Sequence, residues 1–69
     1  MKTKLVENSS QVSEIGYDEK EKIFLVVYKT GAKYHYYNIE PEIWEGAQSA
    51  ESVGSYIHQH VKTHSYKRV

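Results

Sequence analysis

Residues 23–28, Ile-Phe-Leu-Val-Val-Tyr, form the longest unbroken apolar run in the chain. Charged turns hem it in, Asp-Glu-Lys-Glu-Lys at 18–22 and Lys-Thr-Gly-Ala-Lys at 29–33. Six residues are too few for a packed helix, and β-branched and aromatic side chains suit a pleated strand. Alternate residues of a strand face opposite ways. The run therefore divides into Phe24, Val26 and Tyr28 on one side and Ile23, Leu25 and Val27 on the other. Both sets are apolar, so one buried face cannot account for this strand.

Its neighbours complete a sheet. Residues 11–18, Gln-Val-Ser-Glu-Ile-Gly-Tyr-Asp, alternate weakly and put Ile15 and Tyr17 on one face. Residues 33–38, Lys-Tyr-His-Tyr-Tyr-Asn, read as a third strand. Short turns make the three an antiparallel meander with 23–28 in the centre. The period then changes. Ile39, Ile43, Trp44 and Ala47 recur at helical spacing, with Pro41 suited to a first turn and acids crowding that end. Val53, Tyr56, Ile57, His60, Val61 and His64 form a second helical stripe, with Ser52 as its N-cap and Gly54 permitting close packing. The closing residues, 65–69, read as a short tail. The expected fold is α+β, a three-stranded antiparallel meander followed by two short helices on one sheet face (β-β-β-α-α).

Tyr34 and Tyr36 share one face of the third strand, and His35 and Tyr37 share the other. Which half of the central strand joins the tyrosine pair depends on the turn. A two-residue loop, Thr30-Gly31, sets Val27 against Tyr34. A three-residue loop, Lys29-Thr30-Gly31 with Gly31 in a bulge, sets Val26 against Tyr34 and Phe24 against Tyr36. One residue of slip exchanges the faces, and periodicity alone leaves both registers open.

The 69 residues allow a single domain with a thin stability margin and no second core. There is no cysteine, hence no disulfide and no thiolate metal site. The apolar run is far shorter than the ~20 residues that span a bilayer, and the basic start is followed by only Leu5 and Val6. A soluble, cytoplasmic protein is expected. Nine basic and nine acidic residues cancel, which argues against strong nonspecific nucleic-acid binding. The charges are unevenly spread, however. Residues 58–69 hold Lys62, Lys67 and Arg68 and no acid. Chemistry is sparse. His60 and His64 stand at metal-gripping spacing on a helix, but no third ligand is evident, and two residues at the core margin is the better reading. No serine sits in a nucleophile elbow, and no glycine-rich phosphate loop occurs. The chain reads as a non-enzyme, with no cofactor, metal or small-molecule substrate inferred.

An ordered set of residues resembles a known family. Ser9, Ser10 and Ile15–Asp18 precede the apolar strand, then come Tyr-Lys-Thr-Gly at 28–31, Tyr-His-Tyr-Tyr-Asn-Ile at 34–39, Trp44, and Ala-Glu-Ser-Val-Gly-Ser-Tyr-Ile at 50–57. Together they resemble the KTSC domain, named for its occurrence at the C-terminus of some lysyl-tRNA synthetases and found also as small bacterial and phage proteins. The likeness spans roughly residues 9–68. Tyr34 and Tyr36 match its Tyr-x-Tyr marker, and Ala50, Ser52, Gly54 and Tyr56 its A-x-S-x-G-x-Y spacing. The family's strand pattern places its apolar positions on Phe24, Val26 and Tyr28. That implies the bulged turn and a core role for Tyr34, Tyr36 and the other motif residues. Pro41 stands one position later than the family's common Val-Pro. The family carries no catalytic residues and a suggestion of RNA binding.

Two functions follow as expectations. One is a small RNA-binding module in which Lys62, Lys67 and Arg68 contact phosphates and Tyr66 stacks on a base. The other is a protein-interaction module or homodimer using Ile23, Leu25 and Val27 with His35 and Tyr37. Its rival is an N-terminal segment that folds over that face with Leu5 and Val6.

Overall fold

The computed structural model describes residues 1–7 and 9–69. In chain order these form β1 (Lys2–Leu5), β2 (Val12–Asp18), β3 (Ile23–Tyr28), β4 (Lys33–Tyr36), α1 (Pro41–Ser49), α2 (Val53–His60) and β5 (Tyr66–Arg68). The strands make one antiparallel sheet in the order β1-β2-β3-β4-β5. The α+β class and the two helices agree with expectation, but the sheet has five strands rather than three. The two extra strands are the outermost ones, and every residue in them is exposed. Lys2, Lys4, Lys67 and Arg68 give them no apolar run to mark them, and charged residues are what protect a sheet edge from unwanted pairing.

The β3–β4 turn settles the register. Gly31 has φ +95°, the Tyr28 N–H donates to the Ala32 carbonyl at 2.9 Å, and the Gly31 N–H donates to the Tyr28 carbonyl at 2.9 Å. This is the three-residue bulged loop. It pairs Phe24 with Tyr36 and Val26 with Tyr34. The β2–β3 turn is closed by the Asp18 carboxylate, which accepts from the N–H groups of Lys20 and Glu21, both at 3.1 Å.

Both helices lie on the face that carries Ile15, Tyr17, Phe24 and Val26. Trp44 of α1 stacks on Tyr17 at 5.9 Å between ring centroids and meets Phe24 edge-on at 5.8 Å. The Tyr17 hydroxyl donates to the Ile39 carbonyl at 2.6 Å, so this buried ring keeps its polar tip satisfied. Pro41 opens α1, and Lys4 of β1 donates from Nζ to the Gln48 carbonyl at 2.8 Å. Ser52 caps α2, its Oγ accepting from the Ser55 N–H at 3.4 Å. Val53, Ile57 and Val61 are buried beneath α2. The expected stripe is shorter than drawn: α2 ends at His60, and His64 lies in the following turn, its N–H donating to the Val61 carbonyl at 3.0 Å.

The N-terminal segment does not cross the second sheet face. It pairs along the edge of β2, which turns Val6 under the helices, where it is buried, and leaves Leu5 pointing the other way and exposed. Alternation along a strand forces that division.

Candidate functional site

On the helix-side face, pairing runs Tyr17–Phe24–Tyr36–Tyr66 in one row and Ile15–Val26–Tyr34–Arg68 in the next. The helices cover the β1–β3 side of these rows through Trp44, Ala47, Val53 and Ile57. Over the β4–β5 side a groove opens whose described lining includes no residue of either helix. There the tyrosines cover one another. Tyr34 meets Tyr28 edge-on at 5.7 Å and Tyr66 edge-on at 5.9 Å, and Tyr36 lies 5.5 Å from Tyr66. Tyr36 is buried as part of the same core cluster as Ile39, Ile57 and Val61, Tyr28 and Tyr34 are half-buried, and Tyr66 is exposed.

The four rings floor a groove of about 630 Å³. Lys29 and Lys62 stand at its sides, and no carboxylate lines it. The Lys62 ammonium sits 5.9 Å from the centroid of the Tyr28 ring. Ser10, Gln11 and Lys62 also border a second, more polar groove of about 430 Å³, lined by Ser9, Ser52, Ser55, His58 and Gln59. The two grooves are thus adjacent, one aromatic and one rich in hydroxyls and amides. Burial first, and then the neighbouring Tyr28 hydroxyl, hold the Tyr36 hydroxyl well above the ordinary tyrosine range. Burial likewise raises that of Tyr17, with Glu40 adding to the effect.

Of the residues expected to bind nucleic acid, Lys62 and Tyr66 line the aromatic groove and Arg68 pairs with Tyr34 on the same face. Lys67 does not join them: it pairs with His35 and faces the opposite side of the sheet. The tail is a strand, and a strand cannot present consecutive residues to one ligand. Of the motif residues expected in the core, only Tyr36 is fully buried. Tyr34, Ala50, Gly54 and Tyr56 are half-buried, and Ser52 is exposed because it serves as a helix cap. Gly54 has its close neighbour: a Cβ there would lie 3.2 Å from the Ser9 Oγ. His60 packs against the Tyr56 ring at 4.5 Å, and no group of three potential metal ligands gathers among the described residues. No helix among them is long and apolar enough to cross a membrane.

Sequence reasoning missed Tyr28, Lys29, Ser10 and Gln11 as groove residues. Tyr28 was legible in principle, since strand alternation puts it with Phe24 and Val26. The bulged register already put Tyr28 on the face of Tyr34 and Tyr36; without β5, however, nothing placed Tyr66 beside them. Of the residues expected at the second interface, Ile23, Leu25 and Val27 share the opposite face with His35, Tyr37 lies just past the end of β4, and all are half-buried.

Comparison with known proteins supplies the remaining context. The family model described as KTSC domain matches residues 8–66. A protein of Tsukamurella paurometabola is 37% identical over 54 residues, covering 78% of this chain and 81% of that protein. An uncharacterized protein of Stutzerimonas stutzeri is 32% identical over 59 residues, covering 86% of this chain and 83% of its own length. The crystal structure of a KTSC domain protein from Yersinia pestis superposes with a TM-score of 0.91 at 20% identity, covering 99% of this chain and 96% of that one. At that identity the match speaks to the fold.

Proposed function

This chain belongs to the KTSC domain family, and on that premise we propose that it is a non-enzymatic binding module whose tyrosine groove takes a single-stranded RNA segment. The observation that carries this reading is the pairing of ring faces with cations. Tyr28, Tyr34 and Tyr66 offer partly open rings, and Lys29 and Lys62 flank them without a competing carboxylate. Bases stack on such rings with little regard to sequence, and lysines beside them meet the phosphates. The adjoining groove, with Ser52, Ser55 and Gln59, offers donors and acceptors to the sugar-phosphate chain and its 2′-hydroxyls. Zero net charge keeps the affinity low, because few phosphates can be neutralised.

The test is fluorescence anisotropy of a short labelled single-stranded RNA across a salt series. Contacts from Lys29, Lys62 and Arg68 give a logarithmic salt slope of about −2. Tyr66→Ala removes an exposed ring, with circular dichroism confirming that the variant is folded, and weakens binding about tenfold. Lys62→Ala weakens binding and flattens the slope, while Lys67→Ala, on the far face, leaves both unchanged. Binding that survives the Tyr66→Ala, Lys62→Ala double variant would overturn the site.

A further inference from the structure

The sheet face away from the helices carries a second feature. Among the described residues, Met1, Leu5, Tyr66 and Val69 are the large apolar side chains left exposed. Strand alternation puts Leu5 and Val69 on this face. Met1 joins them: its sulfur and the Thr3 methyl lie 3.1 and 3.2 Å from where a Cβ of Gly16 would stand, on the same side as Leu25. Ile23, Leu25 and Val27 run down the middle, half-buried, with no helix over them.

The charges on this face follow a pattern. Leu5 pairs with Glu14, Glu14 with Val27, and Val27 with Lys33. The Val69 N–H donates to the Lys33 carbonyl at 2.9 Å, which places Val69 beside Lys33. Read across the sheet, this row is apolar, acidic, apolar, basic, apolar, and Val27 is its midpoint. The next row reads Thr3, Gly16, Leu25, His35, Lys67, and the third centres on Ile23 beside Asp18. Acidic side chains lie only on the β2 side of the centre and basic side chains only on the β4–β5 side.

We propose that this face is the interface of a symmetric homodimer, two copies packed sheet on sheet about a twofold axis parallel to β3. Such an axis exchanges left and right across the sheet and preserves direction along the strands. It lays Val27, Leu25 and Ile23 on their own counterparts, Glu14 on the partner's Lys33, and Leu5 on the partner's Val69. A twofold interface must be self-complementary, and this row is. The other in-plane axis, perpendicular to the strands, would lay Glu14 toward the partner's Asp18 and Lys67 on the partner's Lys67. Like charges held together suppress that arrangement. Five strands about 4.8 Å apart and three rows about 7 Å apart make a face of roughly 500 Å² per copy. The total, roughly 1,000 Å², stands at the low end for a specific interface, the size class of weak, reversible association. The tyrosine groove lies on the opposite side and stays open.

Sedimentation equilibrium from low to high micromolar concentration tests this on the whole chain, with circular dichroism confirming that each variant is folded. The wild type shows a monomer–dimer equilibrium, and Leu25→Lys is folded and monomeric. Glu14→Lys faces the partner's Lys33 with a like charge, and Lys33→Glu faces the partner's Glu14 likewise. Each raises the dissociation constant about tenfold or more. Mixed in equal amounts, the two variants restore opposite charges at both contacts and associate about as strongly as wild type. A wild type still monomeric at high micromolar concentration would overturn the dimer. So would single charge reversals without effect, a mixture that fails to associate, or a Glu14→Lys variant that dimerises more tightly, which is the signature of the perpendicular axis.

Discussion

Gly46 sits in the interior of α1, where glycine costs about 1 kcal/mol relative to alanine. The space above it explains the choice. A Cβ at this position would lie 2.8 Å from Cζ of Tyr56 and 3.1 Å from its Cε2, and would collide with the hydroxyl. The Tyr56 ring thus lies directly on the α1 backbone, with His60 on its flank at 4.5 Å. Helix propensity and packing oppose one another here. Displacing the ring costs about 1–3 kcal/mol, more than the propensity regained, so Gly46→Ala is destabilising in urea titrations of the wild type. In a Tyr56→Ala background the obstacle is gone, and the same substitution becomes stabilising by up to about 1 kcal/mol. A Gly46→Ala change that stabilises the wild type would mean that Tyr56 does not hold this position. The family spacing that ends on Tyr56 marks the ring, but its partner Gly46 lies one helix earlier and no local pattern connects them.

At the scale of elements, β4 shows how cover decides what a side chain is worth. Tyr34 and Tyr36 are the same residue type on one face of one strand, yet Tyr36, between Phe24 and Tyr66, is buried and Tyr34, between Val26 and Arg68, is only half-buried. Tyr36→Ala should cost about 3–5 kcal/mol, enough to threaten a domain of this size, while Tyr34→Ala should cost roughly half as much. Urea midpoints for the two variants check this ordering, and equal losses would contradict it. The elements themselves were legible where hydrophobic period is strong. The apolar run became β3 over the residues expected, Ser52 capped α2, and Pro41 opened α1. The register came from family resemblance and not from period, because both faces of β3 are apolar. β1 and β5 were not legible. Each is short, polar and exposed, and each exists because a neighbouring strand offers it an unpaired edge, a fact that only tertiary structure contains. The RNA-binding cluster drawn from the tail failed in part for the same reason: a basic run read as one surface becomes two faces once Tyr66–Arg68 extends the sheet.

Across the whole molecule, the aromatic core that replaces cysteine staples also makes the fold sensitive to alkali. Tyr17 and Tyr36 are buried, and both hydroxyls are held above their ordinary value, chiefly by burial. In the unfolded chain they titrate near the ordinary value of about 10. A raised folded-state value means that the folded protein keeps these protons where the unfolded chain has released them. The stabilisation is therefore fully present below about pH 10 and is lost as pH rises above it. Each ring contributes a slope of at most about 1.4 kcal/mol per pH unit in that window. A small domain has only a few kcal/mol to lose, so it should unfold cooperatively in strongly alkaline solution without denaturant. Urea midpoints followed by far-ultraviolet circular dichroism should stay level from pH 7 to about pH 9.5 and then fall steeply. Phenylalanine has no proton to release, so Tyr36→Phe should make the alkaline limb shallower, whatever it does to stability at neutral pH. An alkaline limb equally steep in wild type and Tyr36→Phe would show that the Tyr36 hydroxyl is not held from ionising by the folded protein.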